Sequence, residues 1–280
     1  MDLVPNAFVE ATVDLLYNNS IPHTLKLKGK YSLFGSRAYN SRLIWTITLC
    51  PDGLSETFEN CFSKTPVPNC SRNLKNIKAL EVTAEVDGWV VPPAVDSQIR
   101  SIQHKLEVFV FELLRGPNKK EFATIAKWTP KVLIMSPFIS EPMITVDTFT
   151  AQRSLKYLVF VIATIEEPLE RFKDLIFQKQ FLKLVFGQCV LETFGSIFEL
   201  WKENAEVLKG KEIYFSDCNV AEAAKVFLDE VSQKLAWKGV DRTFKHRIGE
   251  RAITFTVTGP EVVDEDQWLM KKGEIRLIFS

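Results

Sequence analysis

Charge of one sign, glycine and histidine are all scarce or balanced away in this chain, and each shortage removes a class of function. Thirty-five Lys and Arg residues are matched by 35 Asp and Glu residues in 280, so the formal net charge is zero. A neutral chain has no basic field to hold a phosphate backbone, and nucleic-acid binding is not expected. Glycine numbers only 12, and neither G-x-G-x-x-G nor G-x-x-x-x-G-K-[ST] occurs. The glycine-lined cradles that approach a dinucleotide or a nucleoside triphosphate are therefore missing. The three histidines, His23, His104 and His246, stand alone in sequence, and no G-x-S-x-G elbow accompanies them.

Cysteine is too sparse, and odd in number, for a disulfide framework: Cys50, Cys61, Cys70, Cys189 and Cys218. Cys50, Cys61 and Cys70 lack the C-x2–4-C pairs of structural zinc, so loop and core thiols are expected, with no metal and no cofactor. The apolar runs Lys131–Ile139 and Tyr157–Thr164 fall well short of the ~20 residues a membrane span needs. The opening MDLVPNAFVEATVDLL carries Asp2, Glu10 and Asp14 where a secretory signal would be apolar. The expectation is a protein of the cytoplasm or nucleus, without a membrane partner, whose sequons at Asn18 and Asn69 stay unmodified. The acids Glu166-Glu167 and Asp264-Glu265-Asp266 fit helix starts or solvated loops better than acid–base catalysis. Enzymatic activity is not expected.

What the chain does have is a recurring apolar pattern. The runs IKALEV, LEVFVF, KVLIMS, LKYLVF, LKLVFG and EIYFSD are short and β-rich. On a template L-x-x-L-x-L-x-x-C/A, three copies fill all four positions. These are Leu106, Phe109, Phe111, Leu114; Leu155, Leu158, Phe160, Ala163; and Phe181, Leu184, Phe186, Cys189. Ile213, Phe215 and Cys218 follow Gly210, while Ile77, Leu80 and Val82 end on Glu85, and Leu133, Met135 and Phe138 follow Pro130. The copies start at 77, 106, 130, 155, 181 and 210, in steps of 29, 24, 25, 26 and 29. Repeats of 20–29 residues are those of a leucine-rich horseshoe, one strand and one helix each.

Helical periodicity falls between these strands, in Leu191, Phe194, Phe198, Trp201, Ala205 and Leu208, and again in Val220, Ala224, Phe227, Leu228, Val231 and Leu235. Ile165, Leu169, Phe172 and Ile176 form a third stripe, with Pro168 in its first turn. The fold expected is α/β: a leucine-rich-repeat-like solenoid with a parallel sheet and one helix per repeat. The competing arrangement is an ordinary layered α/β domain with evenly spaced strands. The period fails at both ends. RAITFTVTG and EIRLIFS read as strands that cap the open end of the sheet. LIWTITL reads as a strand near the start, and the Pro/Asn/Cys-rich stretch 66–73 as a boundary. This gives an N-terminal region 1–70 and a solenoid 71–280 with a C-terminal hairpin cap.

The opening places Leu3, Val4 and Pro5 ahead of a short amphipathic helix bearing Phe8, Val9, Val13 and Leu16. This entry resembles the start of an F-box, with Arg37, Ala38, Tyr39 and Trp45 standing for a later helix and its terminal tryptophan. LKLKGKYSLFGSR departs from the pattern, lacking a leucine-rich second helix. With the irregular leucine-rich strands behind it, the opening MDxVPxxFxxxV is similar to a nematode-expanded group of F-box-related proteins. The resemblance implies docking of Leu3, Val4, Pro5, Phe8, Val9, Val13 and Leu16 on the Skp-type adaptor of a cullin–RING ubiquitin ligase. Without the resemblance, residues 1–17 are a helix covering the first strand.

On the repeat template, one sheet face is core and the other carries Glu107, Val110, Ile134, Lys156, Val159, Lys183, Val185, Gln188, Glu212, Tyr214 and Asp217. Val110, Ile134, Val159 and Val185 form a β-branched ladder there. An apolar ladder left open binds a partner, and one covered by the chain's own segments is ordinary for a parallel sheet. The function expected is protein recognition, with the helix meeting the adaptor and this face meeting the target. A repeat scaffold without adaptor docking and an α/β enzyme with a pocket near Gln188, Asp217 and His246 are the alternatives.

Overall fold

The computed structural model describes residues 5–16, 20–50, 53–68, 73–85, 89–114, 119–135, 147, 150–151, 153–160, 169–188, 191–219, 241–248, 250–258 and 272–280. The chain is α/β and divides into two compact units, Met1–Glu112 and Leu113–Ser280.

The first unit opens with three helices, α1 (Asn6–Leu15), α2 (Ile21–Thr24) and α3 (Lys30–Ser41). Pro5 sits at the N-cap of α1, where its missing N–H costs nothing, and its carbonyl accepts from Phe8 and Val9. Spacing by four puts Val9 and Val13 on the inner stripe. They pack with Ile21, Phe34 and Ala38 into a small core edged by Leu16, Tyr31, Tyr39 and Phe62. Gly35 makes the closest approach: a Cβ there would stand 2.0 Å from Thr24 Oγ1.

Strands β1 (Leu43–Cys50) and β2 (Gly53–Asn60) form an antiparallel hairpin, and β1 pairs in parallel with β3 (Ile77–Ala84). Helix α4 (Pro93–Ile102) follows, burying Val95, Ile99 and Ile102, and β4 (Val108–Leu113) completes the order β2-β1-β3-β4. Trp45 is fully buried on β1, stacked on Phe58, and its indole N–H donates to Glu56. It is therefore a strand residue and not the end of a helix. The β-branched run LIWTIT prefers an extended backbone to a helical one. Arg42, also buried, joins helices to strands. Its Nη2 donates to the Val13 carbonyl at 3.0 Å and its Nη1 to Glu107 Oε1 at 3.0 Å. The division into compact units does not fall at residue 70, because the strands on either side of that stretch, β1 and β3, are hydrogen-bonded neighbours.

The second unit contains α5 (Lys119–Lys127), β5 (Val132–Met135), β6 (Tyr157–Phe160), α6 (Lys173–Ile176), β7 (Lys183–Gln188), α7 (Leu191–Leu208), β8 (Glu212–Asn219), β9 (Asp241–Ile248), β10 (Arg251–Thr258) and β11 (Lys272–Phe279). Four strands run parallel in chain order, β5-β6-β7-β8, and three antiparallel strands extend them as β11-β10-β9. Leu133, Leu158, Leu184, Ile213 and Leu277 share one row across β5, β6, β7, β8 and β11, each at most 1% exposed. On the same face, Phe160, Phe186 and Phe215 stack ring on ring, with centroids 6.0 and 5.3 Å apart, and Phe172 meets the first two edge-on.

Helix α7 lays Ile197, Phe198, Trp201, Ala205 and Leu208 in the core, with non-helical dihedrals at Asn204. Gly210 then turns the chain at a φ of 79° that glycine adopts freely. Lys211 is buried behind the turn, its ammonium donating to the carbonyls of Gln178 and Phe181. Burial pulls its pKa below the ordinary lysine value.

Several expectations change in detail. In β4 the alternation Phe109, Phe111, Leu113 continues to the strand's end, so Leu113 is buried and Leu114, expected inside, is 37% exposed. The same happens in β3, where Ala84 is buried and Glu85 exposed. Of the third helical stripe, the described part is a 3-10 turn, Leu169–Phe172, followed by the single turn α6, while Ile165 and Pro168 lie outside the described residues. Polar strands β2 and β9 join the sheets without having been expected. Ala163, Phe138, Cys189 and the stripe from Val220 to Leu235 lie outside the described residues.

Candidate interaction surfaces

The seven residues expected to dock an adaptor separate in the structure. Val9 and Val13 are buried in the helical core, Leu16 is half-buried at its edge, and Pro5 and Phe8 are exposed, Phe8 by 60%. Leu3 and Val4 lie outside the described residues. Three leucines that sequence reasoning passed over are exposed on the same cluster, Leu25, Leu27 and Leu33. Leu25 and Leu27 follow α2, and Leu33 is in the first turn of α3, where Ser32 Oγ reaches the Leu25 carbonyl. Basic residues alternate with them: Lys26 and Lys28 are exposed, and the Arg37 guanidinium lies 5.2 Å from the Phe34 ring centroid. Residues 20–50 contain no Asp or Glu.

The face opposite the core is half-exposed along both units. In the first, Val110 is half-buried, and Glu107 is held by Arg42 and so is a structural residue. In the second, register places Ile134, Val159, Val185 and Tyr214 in one row, and Tyr157, Lys183 and Glu212 in the next. All seven are partly exposed. Lys156 stands at the entrance of β6, its carbonyl accepting from Leu182 and Lys183. Gln188 and Asp217 pair in register, and His246 pairs with Ile253, but their side chains lie outside the described ones.

The Ile134 row ends in a pocket of about 320 Å³ lined by Lys183, Glu212, Tyr214, Thr256, Glu274 and Arg276. Its floor is a charge cluster. Lys183 Nζ lies 2.8 Å from Glu212 Oε1, Arg276 Nη2 donates to Glu212 Oε2 at 2.9 Å, and Lys183 also sits 5.0 Å from the Tyr214 ring centroid. Burial alone would push the Glu212 carboxyl up. The hydrogen bonds and charges of Arg276 and Lys183 outweigh it and hold Glu212 below the ordinary carboxylate range. Such a cluster holds two cationic side chains against one carboxylate.

Thr256, Glu274 and Arg276 were missed because the C-terminal strands were read only as a cap. The alternation in EIRLIF carried the signal, since burying Ile275, Leu277 and Phe279 turns Glu274 and Arg276 to the opposite face. Among the described residues, no group of three or more His, Cys, Asp or Glu side chains could hold a metal, and no helix is long and apolar enough to cross a membrane. Cys50 and Cys61 are half-buried and not joined in a disulfide. No family model, curated protein or solved structure matches the chain.

Proposed function

We propose that the protein is a non-enzymatic recognition subunit, an F-box-like substrate selector of a cullin–RING ubiquitin ligase whose strands form a leucine-rich-repeat-like solenoid. The observation that carries adaptor docking is the apolar surface of the N-terminal helices. Phe8 on α1, Leu33 on α3, and Leu25 and Leu27 between α2 and α3 remain exposed although the helical core is already closed. Apolar side chains presented in this way are characteristic of a partner surface. The basic, acid-free segment that carries Leu25, Leu27 and Leu33 favours a partner with negative charge. The solenoid reading draws support from β5, β6, β7 and β8 following one another in chain order, and from a phenylalanine stacked at the same position of three successive copies.

The test is co-purification of the full chain with a Skp-type adaptor, beside a Phe8→Glu, Leu33→Glu variant. Both sites are exposed, so the variant should melt like the parent. Adaptor captured by the parent and lost by the variant supports the reading. A parent that captures none removes the ligase role. The burial of Val9 and Val13 favours one alternative in that event, a repeat scaffold in which α1 serves only to close the helical core.

A further inference from the structure

The turn that joins α2 to α3 leaves apolar and cationic side chains together at the surface. Leu25 and Leu27 are 37% and 52% exposed, and Lys26 and Lys28 beside them are exposed as well. Residues 23–30 hold three lysines, while residues 20–50 hold no acid. Because the whole chain is neutral, this basic segment is a local excess and not part of a general field. Its backbone is tied down. The Lys26 N–H donates to the His23 carbonyl at 3.2 Å and the Leu27 N–H to the Thr24 carbonyl at 3.1 Å. Thr24 at its base is buried, with its Oγ1 close to Gly35 of α3. Gly29, at a φ of 72°, then leads into α3, and its carbonyl accepts from the Leu33 N–H at 3.2 Å. A turn built in this way can enter a poorly hydrated medium without leaving these amides unpaired, and it need not be ordered first. Lysine is depleted from the apolar centre of a protein interface. At an anionic bilayer, by contrast, leucine and lysine belong side by side, one among the acyl chains and the other at the headgroups.

We propose that the α2–α3 turn attaches the protein to an anionic bilayer surface, with Leu25 and Leu27 entering between the lipids and Lys26 and Lys28 meeting the headgroups. The attachment is peripheral, since no described helix is long and apolar enough to cross a membrane. It goes beyond the adaptor reading and does not rest on it. Where both hold, the bilayer takes Leu25 and Leu27 and leaves Phe8 on α1 to the adaptor.

The test is flotation of the full chain with vesicles of phosphatidylcholine alone, or of phosphatidylcholine with about one-third phosphatidylserine, at low and high salt. The parent should float with the anionic vesicles, stay behind with the neutral ones, and be released as salt shortens the screening length. Lys26→Gln with Lys28→Gln should weaken binding about thirtyfold, or about fivefold for each lysine near the charged surface. Leu25→Ser with Leu27→Ser should weaken it about tenfold through lost apolar burial. All four positions are exposed, so both pairs should melt like the parent. Should a pair melt early, Lys28→Gln or Leu27→Ala alone gives the same reading in smaller measure. No flotation with anionic vesicles at low salt, equal flotation with neutral ones, or binding that survives both pairs overturns the proposal. A chain that captures the adaptor but ignores the vesicles keeps the ligase reading and loses this one; a chain that floats but captures no adaptor does the reverse.

Discussion

Phe186 is the side chain whose removal tests the register most severely. It is 1% exposed, its ring lies between those of Phe160 and Phe215, and Phe172 meets it edge-on with centroids 5.5 Å apart. Phe186→Ala removes a buried ring and leaves a cavity with aromatic walls on three sides. Burial of this kind is typically worth ~3–5 kcal/mol, and each aromatic pair adds ~0.5–1.5 kcal/mol beyond its area. Neighbouring rings relax only partly into the gap, so a loss of about 5 kcal/mol is expected, comparable with the whole stability of a weakly stable domain. Tyr214, one residue before Phe215 on β8, points to the other face and is partly exposed. Tyr214→Ala should therefore cost about 1 kcal/mol, mainly through the lost contact with Lys183. Urea melts of the parent and the two variants measure both quantities. Phe186→Leu, which keeps most of the volume, should recover more than half of the loss. A Phe186→Ala change that costs under about 1.5 kcal/mol, or a Tyr214→Ala change that costs more than Phe186→Ala, would refute the assignment of faces.

In the N-terminal helices, Gly35→Ala should destabilise by about 1–3 kcal/mol, because its Cβ meets a buried threonine whose Oγ1 already donates to the Ile21 carbonyl at 2.7 Å. Adding Thr24→Ala should restore part of the loss, and thermal melts of the single and double variants check it; full tolerance of Gly35→Ala would place α2 and α3 further apart. For Glu212, a folded-state pKa below the ordinary value of 4.5 means that the unfolded chain takes up the proton first as pH falls. Its stabilising contribution is therefore complete above the ordinary carboxylate range and is lost as pH drops through that range to below the folded pKa. Glu212→Gln should lie below the parent in melting temperature near neutral pH, and the gap should close in acid; a gap that widens in acid contradicts the sign.

The parallel strands were legible because their apolar residues alternate with a strict period of two. Leu184 with Phe186 and Ile213 with Phe215 state in sequence which face is core, and the structure buries all four. The template's last position was less informative. In the leucine-rich pattern the chain bends away after the strand, whereas in β3 and β4 simple alternation runs on, to Ala84 and Leu113. Hydrophobic identity alone cannot separate the two, since Leu113 and Leu114 are the same residue type side by side. Polar strands were harder still. GLSETFEN contributes one fully buried apolar side chain, Phe58, and becomes a strand because its partner β1 offers a complete row of backbone donors and acceptors. The other polar strand, β9, likewise owes its extended backbone to a hairpin neighbour, β10, and not to its own propensity.

The same limit explains why half of the charged pocket was visible and half was not. Lys183, Glu212 and Tyr214 come from adjacent parallel strands, so one repeat register puts them on one face. Arg276 and Thr256 reach that face through antiparallel pairing, in which Tyr214 stands opposite Arg276 and Arg276 opposite Thr256. Neither register could be deduced before it was known which strand β11 joins. Pairing β11 with β10 alone would have left Arg276 at the sheet's margin, with Glu212 matched only by Lys183. Insertion between β8 and β10 brings a second cation to Glu212 and offsets the cost of burying its charge. Electrostatics and topology thus select one another here: a carboxylate of intermediate burial is tolerated because the C-terminal strand adds antiparallel to β8 in the register that delivers Arg276.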